Sequence, residues 1–513
     1  MPKGLFTRLD PAGSERLSLR LGLALLAGMA LPLAFAPFGL HFLAVLSPAL
    51  LFALWMGQGP RAGLLVGYAF GLGQFGVGVS WLYHSFTLFG AAIAPVAALV
   101  TAAFVAVAAL YPALAGYLVA RFSGGDRVSA LWLAPLLWVG VEWLRGWLFG
   151  GFPWLNLGAA FTDGPLGGVL PVFGEYGASL WAALLAAALV ALLQARRHRT
   201  RWLVAAAVVA SLALGQALRG IDWTEPDGDP IRVGMAQGNI PQMRKFDPEI
   251  LNFTLRRYLS LTEDLPPVDL VLWPETAIPE FIEALPEFRE LLAERARRER
   301  YVMLVGAFDE DGSGQYFNTM QGIPSRLGSY AKRHLVPFGE YLPLRGLLEA
   351  FHGLIDVPMA DLSPGPAVQA LPVVRGRQVG VSICYEAALS REIRRALPEA
   401  SLLVNASNDS WFGDSLAPDQ HLQIARVRSM EFGRPMARAT NTGISAFIDH
   451  RGRLLETTRF DETAALAKAL QPMSGSTPFA RWGNWPLFLM LLPAIAWLAL
   501  RARRIIRRNG SAV

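Results

Sequence analysis

Cysteine is nearly absent from this sequence, because Cys384 is the only one among 513 residues. A single cysteine cannot form an intrachain disulfide, so a fold held together by internal disulfides is excluded. The seven histidines are scattered, and none lies at ligand spacing from Cys384 or from carboxylates. The sequence therefore predicts no metal site and no cofactor. Cys384 is either a buried, inert thiol or a reactive one.

Charged residues are also scarce. They make up 17% of the chain, against about 25% in an ordinary soluble protein, and hydrophobic residues make up 53%. This composition predicts a membrane protein, and the length predicts two or more domains. The net charge of +6 could indicate nucleic-acid binding, but the arginine clusters lie beside long apolar runs. Basic residues in such places usually mark the cytoplasmic ends of membrane spans, so we predict no nucleic-acid partner.

Eight apolar stretches are long enough to cross a hydrocarbon core about 30 Å thick. They lie near residues 20–37, 41–57, 62–82, 89–120, 128–148, 166–194, 201–218 and 484–500. The first stretch resembles a secretory signal, because "AFA" at 34–36 looks like a cleavage site. Pro37 and a second apolar segment follow at once, so we predict that this span is not cleaved.

The basic residues fall on alternate loops. When eight spans are drawn, Arg61, Arg121 and the clusters 195–201 and 501–508 all lie on one side, which places both termini in the cytoplasm. The chain then divides into three parts. These are a bundle of seven spans at 1–218, a domain on the periplasmic face at 219–482, and a last span with a basic tail at 483–513. We predict a multi-pass protein of the bacterial inner membrane.

Between the predicted tethers the pattern changes to short apolar segments that end in polar residues. Six of them are typical of buried strands: 231–239, 268–275, 301–308, 328–338, 378–386 and 401–409. Segments 248–264 and 287–300 have helical spacing with charged faces. This alternation predicts an α/β layered domain, in which functional residues gather just beyond the strand ends.

Three of these strand ends carry residues capable of chemistry: Glu275, Lys332 and Cys384. Taken singly, the glutamate is typical of a solvated turn, the lysine of an edge strand, and the cysteine of a small core residue. Taken together they supply what acyl transfer needs, because a thiol of pKa about 8.5 requires a base or a nearby cation to become a strong nucleophile. Glu275 can be the base. Lys332 and the backbone N–H after the cysteine can hold an oxyanion.

Several longer motifs strengthen this interpretation. They are "WPETAIP" (273–279), "KRHLVPFGEY" (332–341), "CYE" (384–386), "NASNDSWFG" (405–413) and "RATNTG" (438–443). Together they resemble the carbon-nitrogen hydrolase (nitrilase) superfamily, whose Glu-Lys-Cys triad lies on an α-β-β-α sandwich. A domain of this kind between seven N-terminal spans and one C-terminal span resembles, within that superfamily, the apolipoprotein N-acyltransferases. The expected fold is an eight-span helical bundle joined to such a sandwich.

The resemblance implies roles for individual positions. Cys384 is the expected nucleophile, Glu275 the general base and Lys332 the oxyanion stabiliser. Supporting positions are Glu340 as a second carboxylate, Tyr385 and Glu386 as the pair after the cysteine, and Asn318 in the Asn-Thr motif. Phe246 occupies a position where the family often has tryptophan. An aromatic ring is kept there, so Phe246 is a candidate substrate contact, but a role for the indole N–H is put in doubt.

The activity implied is a two-step acyl transfer. Cys384 would take the sn-1 acyl chain of a membrane phospholipid, expected to be phosphatidylethanolamine, and pass it to the α-amino group of diacylglyceryl-cysteine in an apolipoprotein. We expect a monomer. Residues 339–366, which include Leu347, Leu348 and Phe351, form a long apolar connection that predicts a membrane-facing lid. The alternative is an ordinary surface helix.

Other candidate lipid contacts are more ambiguous. Glu142 and Arg145 lie at i,i+3 near the outer end of the fifth span, and either bind a phospholipid head group or pair to support 151–156. His84 is a candidate head-group contact or part of an aromatic belt. Trp411 is a candidate apolar contact or a core residue.

Three rival functions stay open at this point. A membrane-tethered amidase or nitrilase-type hydrolase would use the same triad but admit water. A transporter would use the pair Glu142 and Arg145 as part of its path, and would leave the triad unexplained. A non-catalytic assembly scaffold would not need the intact triad motifs at all.

Overall fold

The computed structural model describes residues 11–88, 93–325, 328–337, 339–341, 362–493 and 495–497. Helices fill the N-terminal part of the chain, and a region built on two β-sheets follows. The helices of the first part are α1 (Pro11–Ala30), α2 (Leu43–Trp55), α3 (Pro60–Gly78), α4 (Leu82–Leu88), α5 (Ala94–Ala108), α6 (Leu110–Ser123), α7 (Arg127–Arg145), α8 (Leu170–Gln194) and α9 (His198–Leu218).

Five helical stretches of the described chain are long and apolar enough to cross a membrane. They are Glu15–Ala34, Ala94–Ser123, Arg127–Arg145, Pro165–Gln194 and His198–Leu218. Shorter apolar helices lie at Leu43–Trp55 and from Trp485 onward. The predicted stretch 62–82 corresponds to α3, which ends at Gly78. The prediction of a membrane protein with a helical bundle is confirmed, whereas the count of eight spans and the domain boundaries stay predictions.

Helices α3 and α6 cross at very short distance because glycines line the contact. A methyl group added at Gly67 would overlap the carbonyl of Pro112, and one added at Gly116 would overlap the carbonyl of Gly63. Small residues let two backbones approach in this way, which brings van der Waals packing where the hydrophobic effect between helices is weak.

The second part of the chain contains two six-stranded sheets. Their strands are β2 (Ile231–Gln237), β3 (Leu270–Leu272), β4 (Val302–Glu310), β5 (Tyr316–Ile323), β6 (Tyr330–Ala331), β7 (Val373–Val374), β8 (Arg377–Ile383), β9 (Ala400–Ser407), β10 (Met436–Thr440), β11 (Ala446–Ile448), β12 (Leu454–Thr457) and β13 (Ala464–Leu470). The strand order is β13-β2-β3-β4-β5-β6 in one sheet and β12-β11-β10-β9-β8-β7 in the other. A two-stranded ribbon pairs β1 (Thr224–Pro226) with β14 (Met473–Gly475).

The central strands of each sheet are parallel and the outer strands antiparallel. Strands β2, β3 and β4 run parallel in the first sheet, and β8, β9 and β10 run parallel in the second. Every residue of β9 is buried. Parallel strands covered on both faces are typically continuous apolar runs, which is the pattern that the sequence showed.

The two sheets pack face to face, and helices cover their outer faces. Met235 and Leu272 of the first sheet share a core with Val381 and Val404 of the second. The outer helices are α10 (Pro248–Glu263), α11 (Pro286–Glu299), α12 (Ser390–Arg394), α13 (Ala417–Phe432) and α14 (Pro478–Trp482). The first two pack on the first sheet, and α12 and α13 pack on the second. The expected α-β-β-α sandwich is confirmed.

One predicted strand differs from the structure. The segment 328–338 contributes only the two-residue strand β6, and the residues after Ala331 leave the sheet. Lys332 therefore lies at the end of a short edge strand, where its N–H still donates to Asn318 O of β5 at 2.8 Å.

Helix α13 connects the sandwich to the membrane bundle through a buried charge cluster. Arg428 on α13 donates to Glu175 on α8, and it also donates to Glu431 at 2.7 Å. The backbone N–H of Glu175 in turn donates to Glu431 at 2.7 Å. A buried charge is tolerated only when it is paired and hydrogen-bonded, so this cluster fixes α13 against α8.

We expect Gly67→Ala to destabilise the bundle and Gly76→Ala on the same helix not to. The added methyl at position 67 meets a backbone carbonyl, and such overpacking typically costs about 1–3 kcal/mol. Nothing lies within 4 Å of a methyl added at Gly76, so alanine there should raise stability slightly through helix propensity. Thermal unfolding in detergent measures both. Equal effects of the two substitutions would contradict the close packing of α3 on α6.

Candidate active site

The three predicted strand-end residues come together at one end of the sandwich. Glu275 follows β3, Lys332 follows β6, and Cys384 follows β8 of the facing sheet. All three side chains are at most 9% exposed. The ammonium group of Lys332 lies 3.2 Å from Glu275 Oε1, and the charges of both residues act on the thiol of Cys384.

Lys332 is held between two carboxylates. Its Nζ donates to Glu340 Oε1 at 2.8 Å as well as to Glu275 Oε1. Asn318 Nδ2 donates to the same two oxygens, at 2.8 Å to Glu275 and at 3.2 Å to Glu340. The other oxygen of Glu340 accepts from Val336 N at 2.8 Å. Glu340 is thus fully engaged in holding the lysine.

Glu275 differs from Glu340 in one respect. Its Oε2 is buried and has no hydrogen-bond partner in the described part of the chain. A buried carboxylate oxygen without a donor is costly, because it has lost its hydration without replacement. This oxygen is therefore suited to accept a proton from a group that enters the site.

The pKa values of Lys332 and Cys384 follow from their burial and from the charges around them. Burial lowers the pKa of Lys332, but Glu275 and Glu340 outweigh that effect and hold its pKa well above the usual value. Burial, and then the charge of Glu275, raise the pKa of Cys384 to about 12, and Lys332 opposes this rise. The resting site therefore contains a lysine cation and a protonated thiol, whose proton must leave as the sulfur reacts.

Cys384 lies on a sharp turn between β8 and the 3-10 helix Cys384–Ala388. Its φ angle is +51°, in the left-handed region that residues other than glycine rarely adopt. Strained conformations of this kind persist only where the surrounding structure holds them. The turn places the N–H of Tyr385 in the first turn of the helix, where amide groups have no partner within the helix.

Glu386 ties the turn to the segment that carries Lys332. Its carboxylate accepts from Ile383 N at 2.8 Å, on the cysteine side. It also accepts from the hydroxyl of Tyr330 at 2.9 Å and from the backbone N–H groups of Arg333 at 2.8 Å and His334 at 3.1 Å. The residue predicted as a supporting carboxylate therefore fixes the distance between nucleophile and lysine.

A buried polar cluster contacts the backbone carbonyl of Cys384, and the sequence alone indicated no role for this cluster. Its members are Asn405, Asp409, His421 and Arg438, each at most 1% exposed. Asn405, Asp409 and Arg438 belong to motifs that carried the resemblance. His421 lies on α13 outside any of those motifs, so only the fold reveals that its ring reaches the carbonyl of Cys384 at 3.3 Å.

Lys245 is a second buried lysine that the sequence did not single out. Its Nζ donates to the backbone carbonyl of Glu275 at 3.2 Å. Burial lowers the pKa of Lys245 to about 8, although the charges of Glu275 and Cys384 oppose this change. The only signal for Lys245 in the sequence was its position next to Phe246. Phe246 itself is 43% exposed, and the centroid of its ring lies 6.3 Å from that of Phe308.

The membrane bundle covers one side of the turn. The hydroxyl of Tyr385 donates to Gly151 O at 2.9 Å, and its ring stacks on Trp154 with an interplanar angle of 3°. The indole N–H of Trp154 donates to Gln420 of α13 at 2.6 Å. The segment between α7 and α8 therefore packs directly on the residue after the nucleophile.

Glu142 and Arg145 support this same segment. Glu142 Oε1 accepts from Leu157 N at 3.0 Å, and Arg145 donates to Phe152 O at 2.9 Å and to Asn156 Oδ1 at 2.7 Å. Arg145 also donates to the carbonyl of Trp154. Both side chains are buried. Of the two interpretations that the sequence left open, these contacts favour support of the segment over binding of a head group.

The remaining candidate lipid contacts are His84, Trp411 and Phe246. His84 is exposed, and its ring contacts that of Tyr83. Trp411 is partly buried, and its carbonyl accepts from the hydroxyl of Ser85 at 2.7 Å. Lipid-binding roles for these residues and for Phe246 stay predictions. Among the described residues, no group of three or more His, Cys, Asp or Glu side chains could hold a metal ion.

The predicted lid falls largely on residues 342–361, which lie outside the described residues together with Leu347, Leu348 and Phe351. Its two ends are described, and both lie at the site. Leu362 N donates to Glu340 O at 3.2 Å, and Gly365 N donates to Lys332 O at 2.8 Å. The long connection therefore leaves and rejoins the fold beside the lysine and its carboxylate.

Known proteins share both parts of this architecture. Residues 27–188 match the apolipoprotein N-acyltransferase N-terminal domain, and residues 232–477 match the carbon-nitrogen hydrolase family. An apolipoprotein N-acyltransferase of Methylococcus capsulatus is 45% identical over 95% of this chain and 97% of its own. One of Nitrosomonas europaea is 42% identical over 92% of this chain and 95% of its own.

Among solved structures, a carbon-nitrogen hydrolase from Helicobacter pylori G27 aligns with 47% of this chain and 89% of its own, at 16% identity and a TM-score of 0.36. The two family matches and the relatives matched over nearly their whole length decide the classification. The chain belongs to the apolipoprotein N-acyltransferase family.

Proposed function

We propose that this protein moves the sn-1 acyl chain of a membrane phospholipid to the α-amino group of the N-terminal diacylglyceryl-cysteine of apolipoproteins, through a thioester on Cys384. Phosphatidylethanolamine is the proposed donor, and the step completes lipoprotein maturation. One observation carries the proposal. Glu275 Oε1 is held by Lys332 and Asn318, while its Oε2 is buried and unpartnered among the described residues, in a site where both charges act on the thiol.

In the first step, the thiol of Cys384 attacks the ester carbonyl of the phospholipid. Its proton passes to Glu275 Oε2, and a bond forms between Sγ and the carbonyl carbon. Lys332 Nζ and the N–H of Tyr385 hold the negative charge that develops on the carbonyl oxygen. The C–O bond to glycerol then breaks, and the glyceryl oxygen takes the proton from Glu275. The products are a lysophospholipid and the thioester.

In the second step, the neutral α-amino group of the acceptor attacks the thioester carbonyl. Its extra proton passes to Glu275, the C–S bond breaks, and the sulfur recovers that proton. The free thiol of Cys384 is restored and an amide is formed. One carboxylate thus accepts and returns a proton in both steps, which agrees with the fact that the other nearby carboxylate, Glu340, has both oxygens engaged.

The location of the site suits two lipid substrates. Tyr385 is anchored to Gly151 of the bundle, so the nucleophile is held next to membrane-embedded helices. Substrates confined to the bilayer would then reach the thiol by lateral diffusion. The side of the site that the bundle covers would exclude competing water. We place the sandwich on the periplasmic face of the inner membrane, with both termini in the cytoplasm and one chain as the active unit.

Incubation of the purified protein with phosphatidylethanolamine should produce an acyl adduct on Cys384 that intact-mass spectrometry detects. A diacylated lipopeptide with a free α-amino group should discharge the adduct and become triacylated. The same peptide acetylated on its amine should not discharge the adduct.

Cys384→Ala should form no adduct, and Glu275→Gln should form it more slowly by about 10²- to 10⁴-fold, the usual contribution of a general base. Release of free fatty acid without an amine would favour the hydrolase instead, and a folded wild type without an adduct would remove the mechanism.

The rate at which iodoacetamide alkylates Cys384 should depend on the charges of Glu275 and Lys332. Because the pKa of Cys384 is raised to about 12, alkylation should accelerate about tenfold per pH unit from about pH 7 to about pH 10 without a plateau. Lys332→Met removes the charge that lowers this pKa, so alkylation at a given pH should slow. Glu275→Gln removes a charge that raises this pKa, so alkylation should accelerate although acyl transfer slows. Since Cys384 is the sole cysteine, every alkylated protein reports this site, and shifts of the same sign in both variants would contradict the assignment.

The proposed topology can be tested with single cysteines in a Cys384→Ser background. Ser313 is exposed on the sandwich, and Arg199 is exposed in the first turn of α9, in a region predicted to be cytoplasmic. A membrane-impermeant maleimide should label Ser313→Cys in cells with a permeabilised outer membrane. It should label Arg199→Cys only after lysis. The reverse pattern would show that the sandwich faces the cytoplasm.

A further inference from the structure

The backbone carbonyl of Cys384 is held by two side chains that the acyl-transfer steps above do not use. Asn405 Nδ2 lies 3.3 Å from this oxygen, and His421 Nε2 also lies 3.3 Å from it. Asn405 extends from β9, next to β8, whereas His421 comes from α13. Two separate elements therefore converge on one oxygen of the nucleophile's own backbone.

The contacts of the imidazole decide which nitrogen carries a hydrogen. A carbonyl oxygen can only accept, so a hydrogen bond between Nε2 and Cys384 O requires a hydrogen on Nε2. On the other side, Nδ1 lies 3.0 Å from Asp409 Oδ1 and 3.0 Å from Arg438 Nη2. In a neutral ring with its hydrogen on Nε2, Nδ1 accepts from Arg438, and Asp409 Oδ1 takes its hydrogen bond from Ser407 Oγ at 2.8 Å. In a protonated ring, Nδ1 donates to Asp409 instead. Burial and then the charge of Arg438 lower the pKa of His421, which favours the neutral ring. A protonated ring would still donate to Cys384.

Arg438 orients both donors. It donates to Asp409 Oδ2 at 2.7 Å and to Asn405 Oδ1. Because the oxygen of the Asn405 amide faces the guanidinium, its NH₂ group faces the end of β8, where it contacts Ser382 Oγ at 3.1 Å and Cys384 O at 3.3 Å. Asp409 balances the buried charge of Arg438, and each of these side chains is at most 1% exposed. The cluster is therefore fixed in a single arrangement by charge-assisted hydrogen bonds.

The bond between Cys384 and Tyr385 is a trans peptide, since it is not among the cis bonds of the chain. In a trans peptide the C=O and the following N–H lie in one plane and point in opposite directions. A hold on the oxygen of Cys384 therefore fixes the direction of the N–H of Tyr385. The left-handed φ of +51° at Cys384 makes this hold necessary, because the strained turn would otherwise relax.

We propose that His421, together with Asn405, is a positioning residue of the acyl-transfer reaction: by holding the carbonyl of Cys384 it aims the N–H of Tyr385 at the oxyanion. Asp409 and Arg438 fix the two donors. The effect on the reaction rests on the proposed function, whereas the hold on the carbonyl does not.

The test compares His421→Met with His421→Gln. The two side chains are similar in length, and only the glutamine can donate a hydrogen bond to the carbonyl. Gln423→Met serves as the control, because Gln423 lies on the same helix, is buried, and donates to Thr162 of the bundle at 3.2 Å without touching Cys384. Thermal unfolding of each protein in detergent is measured first.

Two reactions of the same thiol separate positioning from general damage. Acylation by phosphatidylethanolamine needs an oxyanion donor, whereas alkylation by iodoacetamide does not. His421→Met should lower the acylation rate about ten- to a hundredfold, less than the roughly 10²- to 10³-fold loss when an oxyanion donor is removed outright. The effect should fall on kcat with little change in KM. Alkylation should stay within about threefold of the wild type, and His421→Gln should recover most of the acylation rate.

A spectroscopic measurement reports the carbonyl directly. Because the chain has one cysteine, protein grown with [1-¹³C]cysteine carries its label at the carbonyl of Cys384 alone. Isotope-edited infrared spectroscopy should find this band at the low frequency of a carbonyl with two donors, and His421→Met should shift it upward. Gln423→Met should not shift it.

The outcomes separate the two proposals. Equal loss of acylation and alkylation in His421→Met, or loss of neither, would overturn the positioning role. If His421→Met does not fold, the labelled wild type decides, and a carbonyl band at the frequency of a free carbonyl would overturn the hold itself. Absence of acylation in the wild type would remove the proposed function, while the infrared band would still report whether His421 holds the carbonyl.

Discussion

The site depends on one buried ammonium group. Lys332 is 1% exposed and lies within 3.2 Å of two carboxylates, Glu275 and Glu340. Removing one partner of a buried ion pair commonly costs about 3–5 kcal/mol, because a charge is left without compensation. The lysine therefore stays charged, and it holds together loops that come from different strand ends. Asn318 bridges the same two oxygens and completes the arrangement.

Burial of Cys384 and then the charge of Glu275 keep the thiol protonated at rest. Two carboxylates face one firmly charged lysine, and Lys245 adds a second ammonium, whose pKa burial lowers to about 8. A thiolate would add a negative charge to a site that already has two, in surroundings with little water. The proposed mechanism avoids that state, because the proton leaves for Glu275 only as the sulfur bonds to carbon, and the charge moves to an oxygen that Lys332 and the N–H of Tyr385 can hold.

Much of this site could be predicted from the sequence, because its members are the first polar residues after buried strands. Glu275, Lys332 and Cys384 were found in that way, and the motifs identified Glu340, Glu386 and Asn318. His421 could not be found, because it lies on a helix and meets Cys384 only when α13 packs on the second sheet. For Glu142 and Arg145, the sequence indicated the pair but could not identify their hydrogen-bond partners. Their i,i+3 spacing predicted that they share a helix face, but their hydrogen-bond partners come from a loop whose path only the tertiary structure fixes.

The contact between bundle and sandwich bears on the choice between transfer and hydrolysis. A thioester in an open cleft would collide with water far more often than with the amine acceptor, because the amine is present at low concentration. Here the residue after the nucleophile is stacked on Trp154 and bonded to Gly151, and Arg145 holds the carbonyls on either side of Pro153. The segment between α7 and α8 therefore forms part of the wall of the reaction site. A soluble sandwich with the same triad lacks that wall, so the physical basis for transfer in preference to hydrolysis lies in how the two parts of the chain are packed together.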